Sequence, residues 1–212
     1  LLNAGETTNF IFKIENNFLS KKDIEDINSL FIKRGKKLSR DIKGRIKAIY
    51  EKGAKLFFVN PQKQIFNNNL ILIDSLLPQI LASVLLQFAS SSSSSVADLV
   101  KITEEENPLN FDTTNKHLFY SYKIKRFLTD IALGMMPSKV WTGEYDATGG
   151  YLIVKADGEI LCYHIYNKNE FENYLLASTK LDTASSSKHR FGEIYEENGE
   201  LFFKLNLQIR FK

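Results

Sequence analysis

The stretch NGELFFKLNLQIRF, from Asn198 to Phe211, decides the fold of this chain. It opens on Asn-Gly, a residue pair typical of tight β-hairpin turns. Apolar residues then occupy every second position, at Leu201, Phe203, Leu205, Leu207, Ile209 and Phe211. Since neighbouring side chains of a strand point to opposite faces, this alternation predicts a long strand over Glu200 to Phe211 with one buried face. Phe191 to Glu196 is its predicted hairpin partner.

Further strands are predicted on both sides of a helical middle. Aromatic and β-branched residues favour strands over Asn9 to Ile14 and Lys55 to Val59. A second hairpin is predicted across Asp157-Gly158, joining strands over Tyr151 to Lys155 and Glu159 to Tyr166.

Apolar spacing and capping residues predict the helices. The first follows Ser20, with Ile24, Ile27, Leu30 and Phe31 as its apolar stripe. A second helix is expected over Ser39 to Lys52, and the stretch Leu70 to Phe88 is expected to form two helices, the second starting at Pro78. An acidic helix should follow and end near Asn107. The last two are expected over Asp112 to Leu133 and over Glu170 to Leu176, the latter capped by Asn169.

These patterns predict an α+β fold, with a helical middle and a C-terminal antiparallel sheet. The six serines from Ser90 to Ser95 are expected to form a flexible connection. Together with the element pattern they predict two parts: residues 1–89, which contain a helical region, and residues 96–212, in which a helix is followed by antiparallel hairpins.

Composition is that of an ordinary globular protein, with 43% hydrophobic and 25% charged residues. The single Cys162 excludes an intrachain disulfide, which suits a reducing cytoplasm.

Asp74, Pro78 and Gln79 interrupt the most apolar stretch, so buried helices explain it better than a membrane span. The first residue is Leu1 rather than Met, from which we expect a fragment or a processed chain.

Positive charge concentrates between residues 33 and 47, where eight cations accompany one acid, Asp41: Lys33, Arg34, Lys36, Lys37, Arg40, Lys43, Arg45 and Lys47. Such a density attracts polyanions. The alternative is a solvated helix face. A second basic group falls in the helix predicted over Asp112 to Leu133, at Lys116, His117, Lys123, Lys125 and Arg126. Together the two groups make nucleic acid a reasonable partner without identifying an enzyme.

Catalytic motifs are scarce. Three histidines and one cysteine, without a CxxC or paired-histidine pattern, disfavour a zinc site. Magnesium-dependent nucleases need carboxylates for the ion and often a lysine two residues after an acid. That spacing occurs once, at Asp41-Ile42-Lys43, inside a predicted helix, while Asp146 and Lys155 lack an acid at Ile153. The residues therefore predict no complete nuclease centre.

Long segments of the chain resemble the HpaII-type type II restriction endonucleases. They are LLNAGETTNFIFKI (1–14), IDSLLPQIL (73–81), WTGEYDATGGYLIVKADGEILCYHIYNKNEFENYL (141–175) and TKLDTASSSKHRFGEIYEENGELFFKLNLQIRF (179–211). The resemblance implies part of a PD-(D/E)xK-type nuclease fold, Mg²⁺ as cofactor and cleavage of double-stranded DNA at CCGG. With it, we expect residues 1–89 to hold the remainder of the nuclease core and residues 96–212 to be the DNA-recognition part. In the family the catalytic lysine strand lies just upstream of the first segment, so these 212 residues alone are expected not to cut DNA.

The resemblance places Asn3 and Asn9 near the missing centre, where they could contact a phosphate or act as loop caps. Lys139 lies beside the third segment, and we include it among the expected DNA contacts. Within the polar loop Thr179 to Arg190, our hypothesis is that Arg190 or Lys188 contacts guanine and Asp182 contacts cytosine, with His189 beside them. A solvent-exposed loop is the alternative.

The expected partner is double-stranded DNA, bound by a homodimer on a palindromic site, with no membrane. Two other functions stay open: a non-catalytic DNA-binding module and a cytoplasmic protein-interaction domain. Salt-dependent binding to duplex DNA would separate the last from the others.

Overall fold

The computed structural model describes residues 8–15, 19–35, 37–145, 150–154, 157–164, 167–183 and 191–212. The side chains of Thr8, Arg34, Lys37, residues 150–153 and residues 161–164 are also outside this description. In chain order the elements are β1 (Thr8–Ile14), α1 (Lys21–Asn28), β2 (Phe31–Arg34), β3 (Lys37–Arg40), α2 (Ile42–Glu51), β4 (Leu56–Pro61), α3 (Gln64–Ile73), α4 (Leu77–Ser90), α5 (Val96–Glu106), α6 (Phe119–Ala132), β5 (Gly150–Val154), β6 (Ile160–His164), α7 (Lys168–Ser178), β7 (Thr179–Leu181), β8 (Ile194–Glu197), β9 (Glu200–Leu207) and β10 (Ile209–Phe211).

A four-stranded antiparallel sheet in the order β4-β1-β9-β8 forms the centre of the fold. Leu201, Phe203, Leu205 and Leu207 are buried, which confirms the predicted alternation along β9. The predicted single strand to Phe211 is wrong at its end, since Gln208 interrupts it and β10 pairs with β7 instead. Ile209 is nevertheless buried, because both sheets border one core.

Helix α4 packs on β4 and β9 and carries much of the core. Its buried residues include Leu77, Ile80, Leu81, Val84 and Leu85. The α+β class is confirmed. The central sheet takes β1 and β4 from residues 1–89, and β8 and β9 from residues 96–212. The proposed division stays a prediction, and its two parts share one sheet and one core.

The predicted helices near the N-terminus are partly wrong. Ser20 caps α1 through a capping box with Asp23, as expected, but the helix ends at Asn28 and Phe31 begins a strand. The helix predicted from Ser39 begins only at Ile42, where Asp41 accepts a hydrogen bond from the Gly44 N–H. Residues 31–40 form a β-hairpin, β2–β3, with Gly35 at φ +60° in its turn. The sequence did not predict these two strands, because cations interrupt the alternation of apolar residues that identifies a strand.

The middle of the chain follows the predictions more closely. Two successive helices, α3 and α4, cover the apolar stretch, with Pro78 in the first turn of α4. The serine run connects α4 to α5. Near its end it is hydrogen-bonded to β7, where the Leu181 N–H donates to the Ser94 carbonyl at 2.8 Å. No single described helix is long and apolar enough to cross a membrane, although α3 and α4, bent by 107°, meet the length and composition criteria together.

Two helix starts differ from the prediction. Helix α6 begins at Phe119 rather than near Asp112, because Asp112 forms a local turn with Thr114. Helix α7 begins at Lys168 and is capped by Asn167, not Asn169. The β5–β6 hairpin is confirmed.

Candidate nucleic-acid interface

A basic cleft lies where the β2–β3 hairpin and the start of α2 face the serine run and strands β7 and β10. Its volume is about 1070 Å³. Four cations, Arg40, Lys43, Lys180 and Arg210, line it with two acids, Asp41 and Asp182, and with serines 91–94. This combination of cations and hydroxyl donors suits an anionic ligand.

The cations of the cleft differ in their availability to a ligand. Arg40 is bound to Glu193 at 2.6 Å and donates to the Phe191 carbonyl at 3.1 Å. Arg210 lies 3.1 Å from Asp182. Lys43 is exposed and Lys180 is half-buried, and neither forms an ion pair with a residue that the structure describes. These two lysines are therefore the most available cations of the cleft.

Arg45, expected to face outward and contact DNA, is instead fully buried, and this prediction is wrong. Its guanidinium donates from Nε to the Leu30 carbonyl at 3.2 Å, from Nη1 to the Gly192 carbonyl at 2.5 Å and from Nη2 to the Asn28 carbonyl. Burial lowers the pKa of Arg45 from its ordinary value. The residue thus joins α2 to the turn before β2 and to the segment before β8, and it has no surface for a phosphate.

The same contacts fix the end of the predicted recognition loop. The Asn28 Nδ2 donates to the Ile194 carbonyl, and the Asn28 Oδ1 accepts from the Ile194 N–H, each at 2.9 Å. Gly192 has φ +70°, and a Cβ there would lie 2.8 Å from Cγ1 of Ile42. The segment from Phe191 to Ile194 is therefore held closely against α1 and α2. Asp182, at the other end of the loop, is paired with Arg210.

The second basic group does not form one patch. Lys123 is paired with Asp74 of the α3–α4 connection, and only 17% of its side chain is exposed. Arg126 lies 3.7 Å from the buried Asp130. Lys125 is half-buried, and Lys116 and His117 precede the helix. Lys139 is exposed. Sequence spacing could not reveal the pair of Lys123 with Asp74, because these two residues lie 49 positions apart, whereas Arg126 and Asp130 are four positions apart on one helix.

Asn9 lies in β1 rather than in a loop, and its side chain bonds to one amide in β9 and to another just after β4. Its Nδ2 donates to Gln62 Oε1 at 2.7 Å, and its Oδ1 accepts from Asn206 Nδ2 at 2.9 Å. Asn206 lines the basic cleft, and its buried Oδ1 has no hydrogen-bond partner among the residues that the structure describes. The other expected contacts fall outside the described atoms: Asn3, Lys36, Lys188, His189 and Arg190 entirely, and the side chains of Arg34 and Lys37.

A magnesium site is not formed by the described residues. None of their His, Cys, Asp and Glu side chains form a group of three that could hold an ion. Asp41, the acid of the Asp41-Ile42-Lys43 triplet, is engaged as the cap of α2. Asp146 and Lys155 lie outside the described residues.

The most deeply buried acid of the described residues, Asp130, was not predicted from the sequence. Asp130 is fully buried in α6, and its Oδ1 accepts a hydrogen bond from the Tyr145 hydroxyl at 2.9 Å. Burial raises the pKa of Asp130, against the opposing effect of Tyr145 and Arg126. Its neighbours Thr129 and Ile131 gave no signal that an acid there would point inward.

Comparison with known proteins gives two matches. The family model described as HpaII restriction endonuclease matches residues 1–211. The Type II restriction enzyme HpaII of Haemophilus parainfluenzae is 52% identical over 211 residues, which are 100% of this chain and 56% of that enzyme. The chain thus spans little more than half the length of this curated relative. No solved structure matches.

Proposed function

From the premise that this chain belongs to the HpaII restriction endonuclease family, we propose that it forms part of an enzyme that cleaves double-stranded DNA at CCGG. The observation that carries the proposal is the 52% identity along the whole chain to a type II restriction enzyme. The available lysines of the basic cleft support it, because phosphate contacts position such proteins on a duplex.

Magnesium is the cofactor we propose for cleavage. The described residues do not fit such a site, so the ligands would be other residues. When bound, the ion would stabilise the charge that develops on the phosphate. The part proposed for the described residues is to hold the duplex. Lys43 and Lys180 neutralise phosphates, and the Phe191–Ile194 segment anchors one end of the predicted base-reading loop.

The direct test is cleavage by the intact protein. With Mg²⁺, a plasmid containing CCGG should be cut and one lacking it should not, and removal of the ion by EDTA should stop cutting. Cutting at unrelated sequences would contradict the CCGG assignment. Sequence-specific binding by the intact protein without cleavage would favour the non-catalytic module.

We propose that the residues just before Phe191 read bases, with Arg190 or Lys188 in contact with guanine. Guanine presents two acceptors in the major groove, which arginine can contact bidentately. Replacing Arg190 with Ala in the intact protein should weaken CCGG binding by about 1–3 kcal/mol and change nonspecific binding much less. The change is measured by competition with a duplex of unrelated sequence.

Lys43→Ala is the matched control, because a phosphate contact should lose similar affinity on both DNAs. Equal losses for Arg190→Ala would make Arg190 a phosphate contact, and no loss would remove it from the interface. A cytosine contact by Asp182 requires its pairing with Arg210 to be shared or broken.

A homodimer on the palindrome and a cytoplasmic location complete the proposal.

A further inference from the structure

The β2–β3 hairpin stands apart from the central sheet. It pairs Phe31 with Arg40 and Lys33 with Leu38, and no third strand joins it among the described residues. Three large apolar side chains are exposed on it: Phe31 at 49%, Ile32 at 41% and Leu38 at 69%. A group of exposed apolar side chains on one small element is typical of a surface that binds a partner.

The charge of the hairpin indicates the kind of partner. Residues 31–40 contain five cations and no acid: Lys33, Arg34, Lys36, Lys37 and Arg40. Arg40 is bound to Glu193, whereas Lys33 is exposed. A second copy of the same hairpin would bring like charges together and is disfavoured. A polyanion with an apolar interior complements both features, and duplex DNA is such a ligand.

The base of the hairpin is fixed to the body of the protein. The Asp41 N–H donates to the Leu30 carbonyl at 3.1 Å, which closes the two strand ends. The Arg45 guanidinium lies 5.2 Å from the centroid of the Phe31 ring and also binds the Leu30 carbonyl. Leu38 and Lys43 both line the basic cleft. The hairpin is therefore an arm with an anchored base and an exposed body at the edge of the cleft.

We infer that the β2–β3 hairpin is a β-ribbon that enters the major groove of duplex DNA, with Leu38 against base edges and Lys33 on a phosphate. The inference rests on the proposed function, since it deepens how the same protein holds its DNA. Two strands about 4.8 Å apart fit a major groove about 12 Å wide, which admits a two-stranded ribbon. In such a complex the exposed apolar atoms lose their contact with water.

Leu38→Ala in the intact protein tests this. Removing an apolar contact of this size should weaken duplex binding about tenfold. Leu72→Ala is the matched control, because Leu72 is also an exposed leucine, at 56%, but lies on α3. It should leave DNA binding unchanged. Urea unfolding should show that neither substitution destabilises the protein, since both side chains are exposed.

The groove is tested with duplexes whose cytosines outside CCGG carry bulky glucosylated 5-hydroxymethyl groups, which fill the major groove. The wild type should lose affinity for them, and Leu38→Ala should lose less. A minor-groove ligand such as netropsin at flanking A·T pairs should have no effect. Competition by netropsin instead would overturn the major-groove assignment.

Two further outcomes would overturn the inference. If Leu38→Ala leaves DNA binding unchanged and converts a dimer to a monomer in sedimentation, the hairpin binds a second copy. If it leaves both unchanged, the hairpin is not an interface for DNA. If the protein does not cleave at CCGG but Leu38→Ala still weakens duplex binding, only the proposed function is contradicted. Failure of the proposed function and failure of the hairpin inference therefore give different results.

Discussion

Replacing Arg45 with methionine is expected to lower the free energy of unfolding by about 3–5 kcal/mol. Methionine keeps much of the buried volume but donates no hydrogen bond. The carbonyls of Asn28, Leu30 and Gly192 then lose the donors of the fully buried Arg45 side chain. Urea unfolding followed by circular dichroism measures the change.

Lys43→Met is the control, because Lys43 lies on the same helix but is exposed. Its effect should stay within about 0.5 kcal/mol. Arg45→Lys should fall between the two, since an ammonium group keeps the charge but cannot reproduce the planar arrangement of three donors. If Arg45→Met and Lys43→Met unfold at the same urea concentration, the buried contacts of Arg45 contribute nothing to stability.

Affinity for duplex DNA is expected to fall about 10³-fold between 50 mM and 200 mM salt. This follows if about six phosphates are neutralised, each contributing about 0.9 to the slope of log K against log salt. Described cations available for these contacts include the exposed Lys33, Lys43 and Lys139 and the half-buried Lys180. Fluorescence anisotropy with a labelled duplex at a series of salt concentrations measures the slope.

Single substitutions locate the contacts. Lys33→Ala and Lys43→Ala should each reduce the slope by about 1. Lys101→Ala should leave it unchanged, because Lys101 is exposed on α5 and does not line the cleft. An affinity that does not depend on salt would remove the electrostatic basis of DNA binding and favour the protein-interaction alternative.

Local patterns were sufficient for much of the fold. The alternation from Leu201 to Leu207 predicted β9, and the Ser20 capping residue predicted the start of α1. The apolar run with Pro78 predicted the two helices α3 and α4. Each of these signals depends on residues within a few positions of one another, because strand and helix periods place neighbouring residues on one face. The family resemblance was likewise carried by contiguous segments.

The sequence by itself determined the α+β class, the central strand, and a chain rich in cations between residues 33 and 47. Only the tertiary structure decided which of those cations face solvent. Lys43 and Arg45 are two residues apart in one helix, yet one is exposed and the other is fully buried. The acceptor that holds Arg45 Nη1 lies 147 residues away, at Gly192. A run of charged residues normally indicates a solvated face. Arg45 can be buried because backbone carbonyls distant in the sequence accept its hydrogen bonds, and no local sequence pattern predicts that contact.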